Sequence, residues 1–302
     1  MKVINIDNKQ KSYFAEVWAE FCRNKTALIG GIVLIFEILL TVLGPFFYTT
    51  SPTLIDFSNT LAYPSTAHPF GTNMLGQDML ARIMLGGRIS LVVGIISMVI
   101  SVLLGTIIGM LSGYYAGKTI DIILMRITDL FLSIPGLPLL MIILYFFKST
   151  FRNLFGPTSG IFIIIIVVIS LISWMSVARL VRASFLSVRE MDYVKAIRAI
   201  GAKNSVIITK HILPNVMNPI IVAATFSVGN AILTESTISF LGLGFPPDIP
   251  TWGSMLNEAQ NYLPIASHIV IIPAFFIFLT VLCVNALGDG IRDALDPQQH
   301  TV

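Results

Sequence analysis

Six long apolar runs constrain the fold of this chain more than any other feature of its sequence. Crossing a hydrocarbon core takes about 20 mainly apolar residues in a helix. A backbone in lipid must satisfy its own hydrogen bonds, so such runs become helices, whereas a β-barrel would show alternating segments of about 10 residues. The six runs are Thr26–Tyr48, Ile89–Gly113, Ile120–Phe147, Ile161–Val177, Asn218–Phe240 and Ser267–Leu287.

The composition agrees with this pattern. Hydrophobic residues make up 55% of the chain and charged residues 12%, and the mean hydropathy is +0.84. A soluble domain carries roughly twice as much charge. The sequence therefore predicts an all-α, polytopic membrane protein with six transmembrane helices.

The positions of lysine and arginine predict how the helices are oriented, because these residues collect on the cytoplasmic side. Four of the 19 lysine and arginine residues lie in the connections on one side of the membrane, at Arg82, Arg88, Lys148 and Arg152. The other fifteen lie on the opposite side: Lys2, Lys9, Lys11, Arg23, Lys25, Lys118, Arg126, Arg179, Arg182, Arg189, Lys195, Arg198, Lys203, Lys210 and Arg292. We therefore expect both termini and the loop 188–214 in the cytoplasm. The net charge of +3 then reflects topology rather than nucleic-acid binding.

The chain is predicted to form one membrane domain with two parts. Residues 1–88 hold a tail, an anchor helix and an extracytoplasmic loop, and residues 89–302 form the core membrane domain with the cytoplasmic loop 188–214. The first apolar run is longer than the 7–15 apolar residues of a signal peptide, so we expect it to remain as an anchor. Cys22 and Cys283 suggest neither a disulfide nor a metal site.

The second run carries a stripe of small residues, with Ser or Gly at every fourth position from Ser97 through Gly105, Gly109 and Gly113 to Gly117. Such a stripe lets two helices approach closely. We expect these glycines to pack against another helix of the same chain, and a pore-lining or subunit-interface role is the alternative.

The third run contains Ser-Ile-Pro-Gly-Leu-Pro at residues 133–138. Two prolines in the middle of a span remove hydrogen bonds and are expected to kink the helix. A kinked helix suits a gated pathway, although many kinks are only structural.

Glu37 and Glu235 fall inside predicted spans, where ionisable groups are functional candidates. Glu37 lies in the middle of the first run, and we expect it to face a neighbouring subunit, paired or protonated. Glu235 lies near the end of the fifth run, close enough to the interface to be hydrated. Two scattered acids are too few for a proton relay.

No catalytic motif is found in the sequence. Residues 113–119 resemble the end of a phosphate-binding loop, but three residues rather than four separate the glycines and a membrane helix precedes them. The histidines, His68, His211, His268 and His300, are scattered, and no GxSxG elbow occurs. We therefore expect no catalytic site, bound cofactor or metal site in this chain.

The loop 188–214 is basic and amphipathic. Val188, Met191, Val194 and Ile197 recur every third residue and give a short helix one apolar face. A glycine, Gly201, can then adopt the left-handed conformation that ends a helix. We expect Asn204 or Ser205 to cap the next helix and Ile212-Leu213-Pro214 to close that helix at the membrane. Such an elbow can transmit motion from a cytoplasmic partner; a helix resting on lipid headgroups is the alternative.

This loop resembles the Glu-Ala-Ala-xxx-Gly-x9-Ile-x-Leu-Pro signature of permease subunits of bacterial ABC importers. Lys195-Ala196-Ile197 stands in the place of Glu-Ala-Ala, and Gly201 and Leu213-Pro214 match. Three positions differ, with Lys195 for Glu, Ile197 for Ala and His211 for Ile. These differences concern charge pairing with the ATPase subunits of such importers rather than the geometry of the elbow.

Further motifs narrow the resemblance to dipeptide/oligopeptide/nickel-type permeases. The motifs are residues 68–78 with Arg82, residues 87–91, 239–244, 250–253 and 288–297. The anchor helix in front of them is similar to that of the second, C-type permease of such systems. The resemblance implies the type I permease fold of ABC importers and a location in the bacterial cytoplasmic (inner) membrane.

The resemblance also implies partners and a mechanism. A binding protein delivers di- or oligopeptides, or alternatively nickel or another metal chelate, to a pathway that this chain forms with a homologous permease. Two ATPase subunits bind the ATP and each receives one coupling helix, here residues 189–201. We expect Gly201→Val to clash at the turn and to uncouple ATP hydrolysis from uptake. The expected coupling residues are Arg189, Glu190, Asp192, Tyr193, Lys195, Ala196, Ala199, Gly201, Ala202 and Pro214, with Asp192, Ala196, Ala199 and Gly201 as the contact set.

Two interpretations from other classes remain open at this point. An ion-coupled secondary transporter should show internal repeats and charged midplane residues, and neither is clear in this sequence. A membrane scaffold or sensor could use the same basic loop to dock a signalling partner. Recovery of an ATPase pair with the chain would separate the importer from both.

Overall fold

The computed structural model of the protein describes residues 13–295, with side chains from residue 17 onward. The α-helices are α1 Tyr13–Arg23, α2 Lys25–Phe47, α3 Met79–Tyr114, α4 Thr119–Ser133, α5 Gly136–Phe155, α6 Ser159–Arg189, α7 Asp192–Ala199, α8 Asn204–Val206, α9 Leu213–Phe240, α10 Trp252–Ala259 and α11 His268–Leu295. A π-helix, Ile207–Ile212, joins α8 to α9, and short 3₁₀ turns occupy Phe57–Asn59 and Gln260–Tyr262. Over the described residues there is no β-strand, only an isolated bridge between Thr72 and Asp78.

Six of the helices are long and apolar enough to cross a membrane, as predicted. They are Lys25–Phe47, Met79–Tyr114, Gly136–Phe155, Ser159–Arg189, the continuous segment Asn204–Phe240, and His268–Leu295. Because the number of spans is even, both ends of the described chain lie on the same side of the membrane. Lys2, Lys9, Lys11 and His300, and the last residues of the 288–297 motif, lie outside the described residues.

Several spans extend beyond their predicted ends, because the ends are packed against protein. The helix α3 begins at Met79, where the Asp78 side chain accepts a hydrogen bond from the Ala81 amide (2.8 Å). The same helix end is buried under Trp252, whose indole N–H donates to the Ile83 carbonyl (3.1 Å). Other elements of the chain cover these helix ends. The ends therefore cannot be predicted from the length of the apolar run alone.

The third run was predicted as a single kinked helix over 120–147, and this prediction was wrong. The structure breaks it into α4 and α5, with Ile134 extended between them (φ −87°, ψ 131°). A proline disfavours the helical conformation in the residue before it, so Pro135 ends α4 instead of bending it. Pro138 falls in the first turn of α5, where its missing N–H has no intrahelical partner to lose.

The centre of the fold is the packing of α3 against α6 and α9. A Cβ atom on Gly105 would lie 2.7 Å from the Trp174 carbonyl oxygen, and one on Gly109 would lie 2.5 Å from the Ala178 carbonyl oxygen. A Cβ on Gly113 would meet the Arg182 carbonyl oxygen at 2.8 Å. The three glycines therefore lie directly against the backbone of α6, within this chain.

Glu37 and Glu235 are both buried in the interior of the subunit. The Glu37 side chain is only 1% exposed and accepts a hydrogen bond from the Thr280 hydroxyl of α11 (2.8 Å). The expectation that Glu37 faces a neighbouring subunit was therefore wrong. Glu235, expected to be hydrated, is fully buried and accepts hydrogen bonds from the hydroxyls of Ser90 (3.1 Å) and Ser239 (2.7 Å). Buried carboxyl groups of this kind tie helices together through hydrogen bonds.

A cap built from the connections after α2 and α9 closes the end of the bundle where α3 begins. Its main link is Arg82, buried at the start of α3, which donates two hydrogen bonds to the Glu258 carboxylate of α10 (2.9 and 2.8 Å). Both hydrogen bonds come from the single nitrogen Nη2 of Arg82, and both are charge-assisted. They fix the position of α10 against α3.

Candidate functional site: the cytoplasmic elbow

The elbow is the segment 189–203, at the end of α6. It was predicted as one helix over 189–201, but α6 itself continues to Arg189, and Glu190 and Met191 form a turn before α7 begins at Asp192. The helix α7 ends at Ala199, so it is shorter than predicted. The α6 helix extends this far because Phe185 and Val188 are still buried at its end.

One side of α7 is anchored in the protein. Val194 is fully buried and packs with Phe185, Val188, Ile207 and Ile212 in one apolar cluster, against which Ile197 also packs. The predicted apolar face of the loop is therefore present at these two positions. It faces the ends of α6 and the π-helix.

The other side of α7 is exposed and partly apolar. Ile200 is 83% exposed and Met191 is 46% exposed, and between them Ala196 and Ala199 present short side chains. Met191 was predicted to share one apolar face with Val194 and Ile197, but the structure places it on the exposed side. An exposed isoleucine beside two exposed alanines is the kind of surface that a protein partner covers.

Gly201 closes the elbow with a positive φ of 83°, the left-handed conformation predicted from its position. We expected a larger side chain here to clash at the turn. The structure shows that a Cβ atom on Gly201 would meet nothing within 4 Å, so that reason was wrong. The constraint is instead conformational, since L-residues disfavour this region by about 1–2 kcal/mol.

The chain beyond Gly201 re-enters the bundle without the predicted break. The N-cap of α8 is Lys203, not Asn204 or Ser205, and no side chain caps the helix. The following π-helix continues directly into α9, so Pro214 does not close a helix at the membrane. A π-turn widens the helix, and here the Leu213 amide donates to the Ile208 carbonyl just before Pro214. The wide turn lets a proline without an N–H stand inside a continuous helical segment.

Tyr114, at the end of α3, holds the elbow in place and was not singled out from the sequence. Its hydroxyl donates to Asn204 Oδ1 (2.6 Å), and its carbonyl accepts a hydrogen bond from the Arg189 guanidinium (2.9 Å). The Arg198 guanidinium lies 5.6 Å from the centre of the Tyr114 ring, within cation–π range. One tyrosine therefore contacts both sides of the elbow. The only sequence signal was its position next to Gly113 in the small-residue stripe.

A second set of contacts joins α7 to the start of α9. The Tyr193 hydroxyl donates to the His211 carbonyl (3.2 Å), and the Asn215 amide donates to the Tyr193 hydroxyl (3.1 Å). Lys195, which stands where the signature has Glu, lies 3.8 Å from Glu190. This pair is exposed, so it contributes little stability by itself.

The structure gathers most of the predicted coupling residues into one exposed surface. Glu190, Asp192, Tyr193, Lys195, Ala196, Ala199 and Gly201 are exposed around α7, and Arg189 and Ala202 are half-buried at its two ends. Pro214 is exposed but lies in α9, beyond the π-helix. We call the exposed part, residues 191–192, 195–196 and 199–201, the elbow surface.

An ion pair braces the helices that carry the elbow. The Arg182 guanidinium of α6 donates to both carboxylate oxygens of Asp121 in α4 (2.7 and 2.9 Å), and the Ser112 hydroxyl donates to the same carboxylate. These hydrogen bonds, that from Arg182 first, hold the pKa of Asp121 well below its ordinary value. The carboxylate is charged at neutral pH and ties α4 to both α3 and α6.

No group of three or more His, Cys, Asp or Glu side chains able to hold a metal ion occurs within residues 13–295. What the site offers is a rigidly held, exposed helical turn at the end of two long spans. The fold and this elbow define a membrane permease of the kind that works with separate cytoplasmic subunits. The family described as "Binding-protein-dependent transport system inner membrane component" matches residues 105–300, and the chain belongs to it.

The comparisons extend over nearly the whole chain. Residues 12–64 match the N-terminal TM domain of oligopeptide transport permease C. The oligopeptide transport system permease protein OppC of Haemophilus influenzae is 39% identical over 292 residues, 96% of this chain and 90% of that protein. The glutathione transport system permease protein GsiD of Pectobacterium atrosepticum is 36% identical over 97% of this chain and 93% of that protein. The dipeptide transport system permease protein DppC of Alkalihalophilus pseudofirmus is 37% identical over 96% of this chain and 91% of that protein.

A solved structure of the MetNI methionine ABC transporter, in inward-facing conformations, shares the fold. Its TM-score is 0.54 at 18% identity, and the match covers 70% of this chain and 97% of that one. The protein is therefore a multi-pass permease subunit of the bacterial cytoplasmic membrane, of the class that works with ATPase and substrate-binding partners. The resemblance that the sequence motifs indicated is confirmed.

Proposed function

We propose that this chain forms half of the translocation pathway of an ATP-driven importer of di- and oligopeptides. The observation that carries the proposal is the elbow surface, which presents Ile200 and two alanines on a turn fixed at both ends. The names of the similar permeases, for dipeptides, oligopeptides and glutathione, support a peptide cargo. They favour peptides over nickel or another metal chelate.

The elbow surface is proposed to fit a groove of an ATPase subunit. A partner shifts a conformational equilibrium only by as much as its contacts differ between the two states. The elbow suits such a role because α7 is rigidly joined to α6 and α9 through Val194 and Tyr193. Displacement of α7 would therefore move both spans. In this proposal ATP is bound and hydrolysed by the partners, and the chain has no catalytic site or cofactor of its own.

The proposed assembly contains four further subunits. A homologous permease supplies the other half of the pathway, two ATPase subunits receive one elbow each, and an extracytoplasmic binding protein delivers the cargo. The exposed faces of the spans support both a subunit and a lipid contact, since they carry large apolar residues such as Leu103, Phe146 and Phe278.

The test is a charge placed at the centre of the elbow surface. Fully burying an isoleucine stabilises an interface by about 1.5–3 kcal/mol, and 1.4 kcal/mol corresponds to about tenfold in affinity. We expect Ile200→Asp, in a tagged chain purified in mild detergent, to lower the recovery of ATPase subunits by at least about tenfold. The matched control is Ile265→Asp, since Ile265 is also exposed (64%) but lies in the cap.

The same preparations are then placed in liposomes with the binding protein. ATP-dependent uptake of dialanine, trialanine and glutathione is expected for the unchanged complex, and a nickel chelate is not expected to accumulate. Equal ATPase recovery with both aspartate variants would contradict the proposed coupling surface. Uptake of the nickel chelate without the peptides would contradict the proposed cargo.

A further inference from the structure

The exposed faces of the spans differ sharply in polarity. The helix α3 exposes Val92, Val99 and Leu103, and α11 exposes Phe275 and Phe278. The helices α2 and α5 likewise expose mainly Ile, Leu and Phe along their central turns. Such faces suit lipid or the apolar surface of another subunit.

The helix α9 exposes apolar residues too, among them Ile221 and Leu233, but it adds a row of polar side chains. Ser227, Asn230, Thr234 and Thr237 are spaced by three, four and three residues, which places them on one face. Asn230 is exposed and the other three are half-buried. The opposite face, which includes Glu235, is buried in the subunit. We call these four residues the α9 polar stripe.

Asn230 is the residue that indicates whether the stripe faces lipid or a polar environment. The hydroxyls of Thr234 and Thr237 donate to carbonyls of their own helix (both 2.7 Å), so these residues alone would be tolerated in lipid. An exposed carboxamide has four hydrogen-bonding positions, and leaving such a group unpaired in an apolar medium costs roughly 2–7 kcal/mol. The stripe therefore faces water or a polar partner and not hydrocarbon.

A groove with both polar and apolar walls lies at the elbow end of the bundle, on the same helix as the stripe. This groove, of about 600 Å³, lies between α6, α9 and α11 and is lined by Leu180, Ser184, Asn215, Asn218, Pro219 and Arg292, among others. On α9, Pro219 is followed at intervals of four by Ala223 and Ser227. The face of α9 that carries the stripe therefore runs into this groove, where Asn215, Asn218 and Arg292 supply the polar groups.

We infer that the α9 polar stripe lines the aqueous pathway and hydrogen-bonds the main chain of the peptide cargo; this rests on the proposed function. The stripe offers only amide and hydroxyl groups and no charge. Main-chain amides are common to all peptides, whereas a charged lining would select among their side chains. A neutral hydrogen-bonding track therefore suits cargo that varies in side chain but not in backbone.

The first experiment measures water access in the complete complex in membrane vesicles. In a background of Cys22→Ser and Cys283→Ala, single cysteines are placed by Asn230→Cys and, as the control on an apolar face, Leu103→Cys. Maleimides react with the thiolate, which forms in water and is disfavoured in lipid. We expect a hydrophilic maleimide to label Asn230→Cys at least about tenfold faster than Leu103→Cys. Equal rates would overturn the inference.

The second experiment asks whether the cargo passes the stripe. Vesicles with the binding protein take up a mixture of tripeptides containing equal amounts of lysine-bearing and glutamate-bearing members. We expect Asn230→Asp to raise the ratio of imported cationic to anionic peptides about fivefold, by charge attraction in the pathway. The matched control, Asn153→Asp on an exposed position of α5, should leave the ratio unchanged, because binding-protein selectivity is the same in both.

These outcomes separate the two proposals. An unchanged import ratio in Asn230→Asp, with normal uptake, would overturn the contact between the stripe and the cargo. If the unchanged complex imports no peptide at all, the proposed peptide cargo fails, and with it the proposed main-chain contact. The labelling rates would still decide whether the stripe lines the pathway.

Discussion

At the scale of single residues, the small-residue stripe brings the backbones of α3 and α6 into close contact. Gly109 lies so near that an added Cβ would be 2.5 Å from the Ala178 carbonyl oxygen and 2.7 Å from Val181 Cβ. We expect Gly109→Ala to destabilise the protein by about 1–3 kcal/mol, the usual range for overpacking. The measurement is the thermal unfolding midpoint of the purified subunit in detergent.

The control for this prediction is Gly136→Ala. A Cβ on Gly136 would meet only Ile172, at an ordinary contact distance of 3.8 Å, so its unfolding midpoint should hardly change. Equal unfolding midpoints for the two variants would contradict the prediction that α3 and α6 are too close at Gly109 to admit a Cβ atom.

The ion pair between Asp121 and Arg182 leads to a second prediction for single residues. Hydrogen bonds to charged groups contribute about 1.5–3 kcal/mol, so Asp121→Asn should lower the free energy of unfolding by roughly that amount. Asp129→Asn is the control, because the pair of Asp129 with Arg179 is more than half exposed at both side chains and such pairs contribute about 0–1 kcal/mol.

The pH dependence of this ion pair follows from the lowered pKa of Asp121. A carboxyl whose pKa falls on folding contributes its full stability above the unfolded value, about 3.9, and loses it as pH falls through the folded pKa. We therefore expect the difference in unfolding midpoint between Asp121→Asn and the unchanged protein to stay constant from pH 5 to pH 8. A difference that shrinks within this range would contradict the assignment.

Single residues also show what the sequence could not predict. The positions of Gly105, Gly109 and Gly113 follow from a spacing of four, which is local. The environment of Glu37 depends on Thr280, 243 residues away in the chain, and the role of Tyr114 depends on Asn204 and Arg198. No local pattern records such partners, which is why Glu37 was assigned to the wrong surface.

At the scale of elements, two departures from prediction occur at prolines. Pro135 separates two helices, whereas Pro214 stands inside a continuous helical segment. The difference lies in the backbone before each proline: Ile134 is extended, while a π-turn precedes Pro214. Sequence marks both prolines as breakers, but tertiary packing of Ile207, Ile208 and Ile212 in the core keeps the second helix intact.

The elbow provides a prediction at this scale. Gly201→Val should strain the turn by about 1–2 kcal/mol, a factor of about 5–30 in the population of the correct elbow. We expect the assembled complex to hydrolyse ATP with a correspondingly lower yield of imported peptide per ATP. The measurement combines ATP hydrolysis and peptide uptake in the same proteoliposomes.

Gly117 supplies a matched control for the elbow. It has nearly the same conformation (φ 81° against 83°) and the same open surroundings, but lies in the turn between α3 and α4. Gly117→Val should therefore cause equal local strain with normal uptake per ATP. An equal loss in both variants would show that general destabilisation, and not the elbow, links hydrolysis to transport.

At the scale of the whole molecule, the number of spans was predicted correctly because it depends only on length and apolarity. The predicted division at residue 88 stays a prediction, although α2 packs closely on α11. Residues 84–87 also lie directly against α2 and Trp252. What composition could not supply is which face of each span is covered, because that depends on neighbours far away in the chain and on other subunits.

The orientation of the whole molecule is the last prediction, and the position of the elbow depends on it. The distribution of lysine and arginine places α1 and the elbow in the cytoplasm. Cys22 on α1 is exposed and Cys283 is buried, so the unchanged protein carries one accessible thiol among its described residues. We expect a membrane-impermeant maleimide to label Cys22 in inside-out vesicles and not in right-side-out vesicles.

Tyr63→Cys in a Cys22→Ser background gives the opposite test, because Tyr63 is 66% exposed in the cap. It should react only in right-side-out vesicles. Labelling of Cys22 from the outside would place α7 and Ile200 on the side without ATP, and no ATPase could then reach the elbow surface. The labelling experiment therefore tests three statements at once: the orientation predicted from the charges, the position of the elbow in the cytoplasm, and the use of ATP as the energy source.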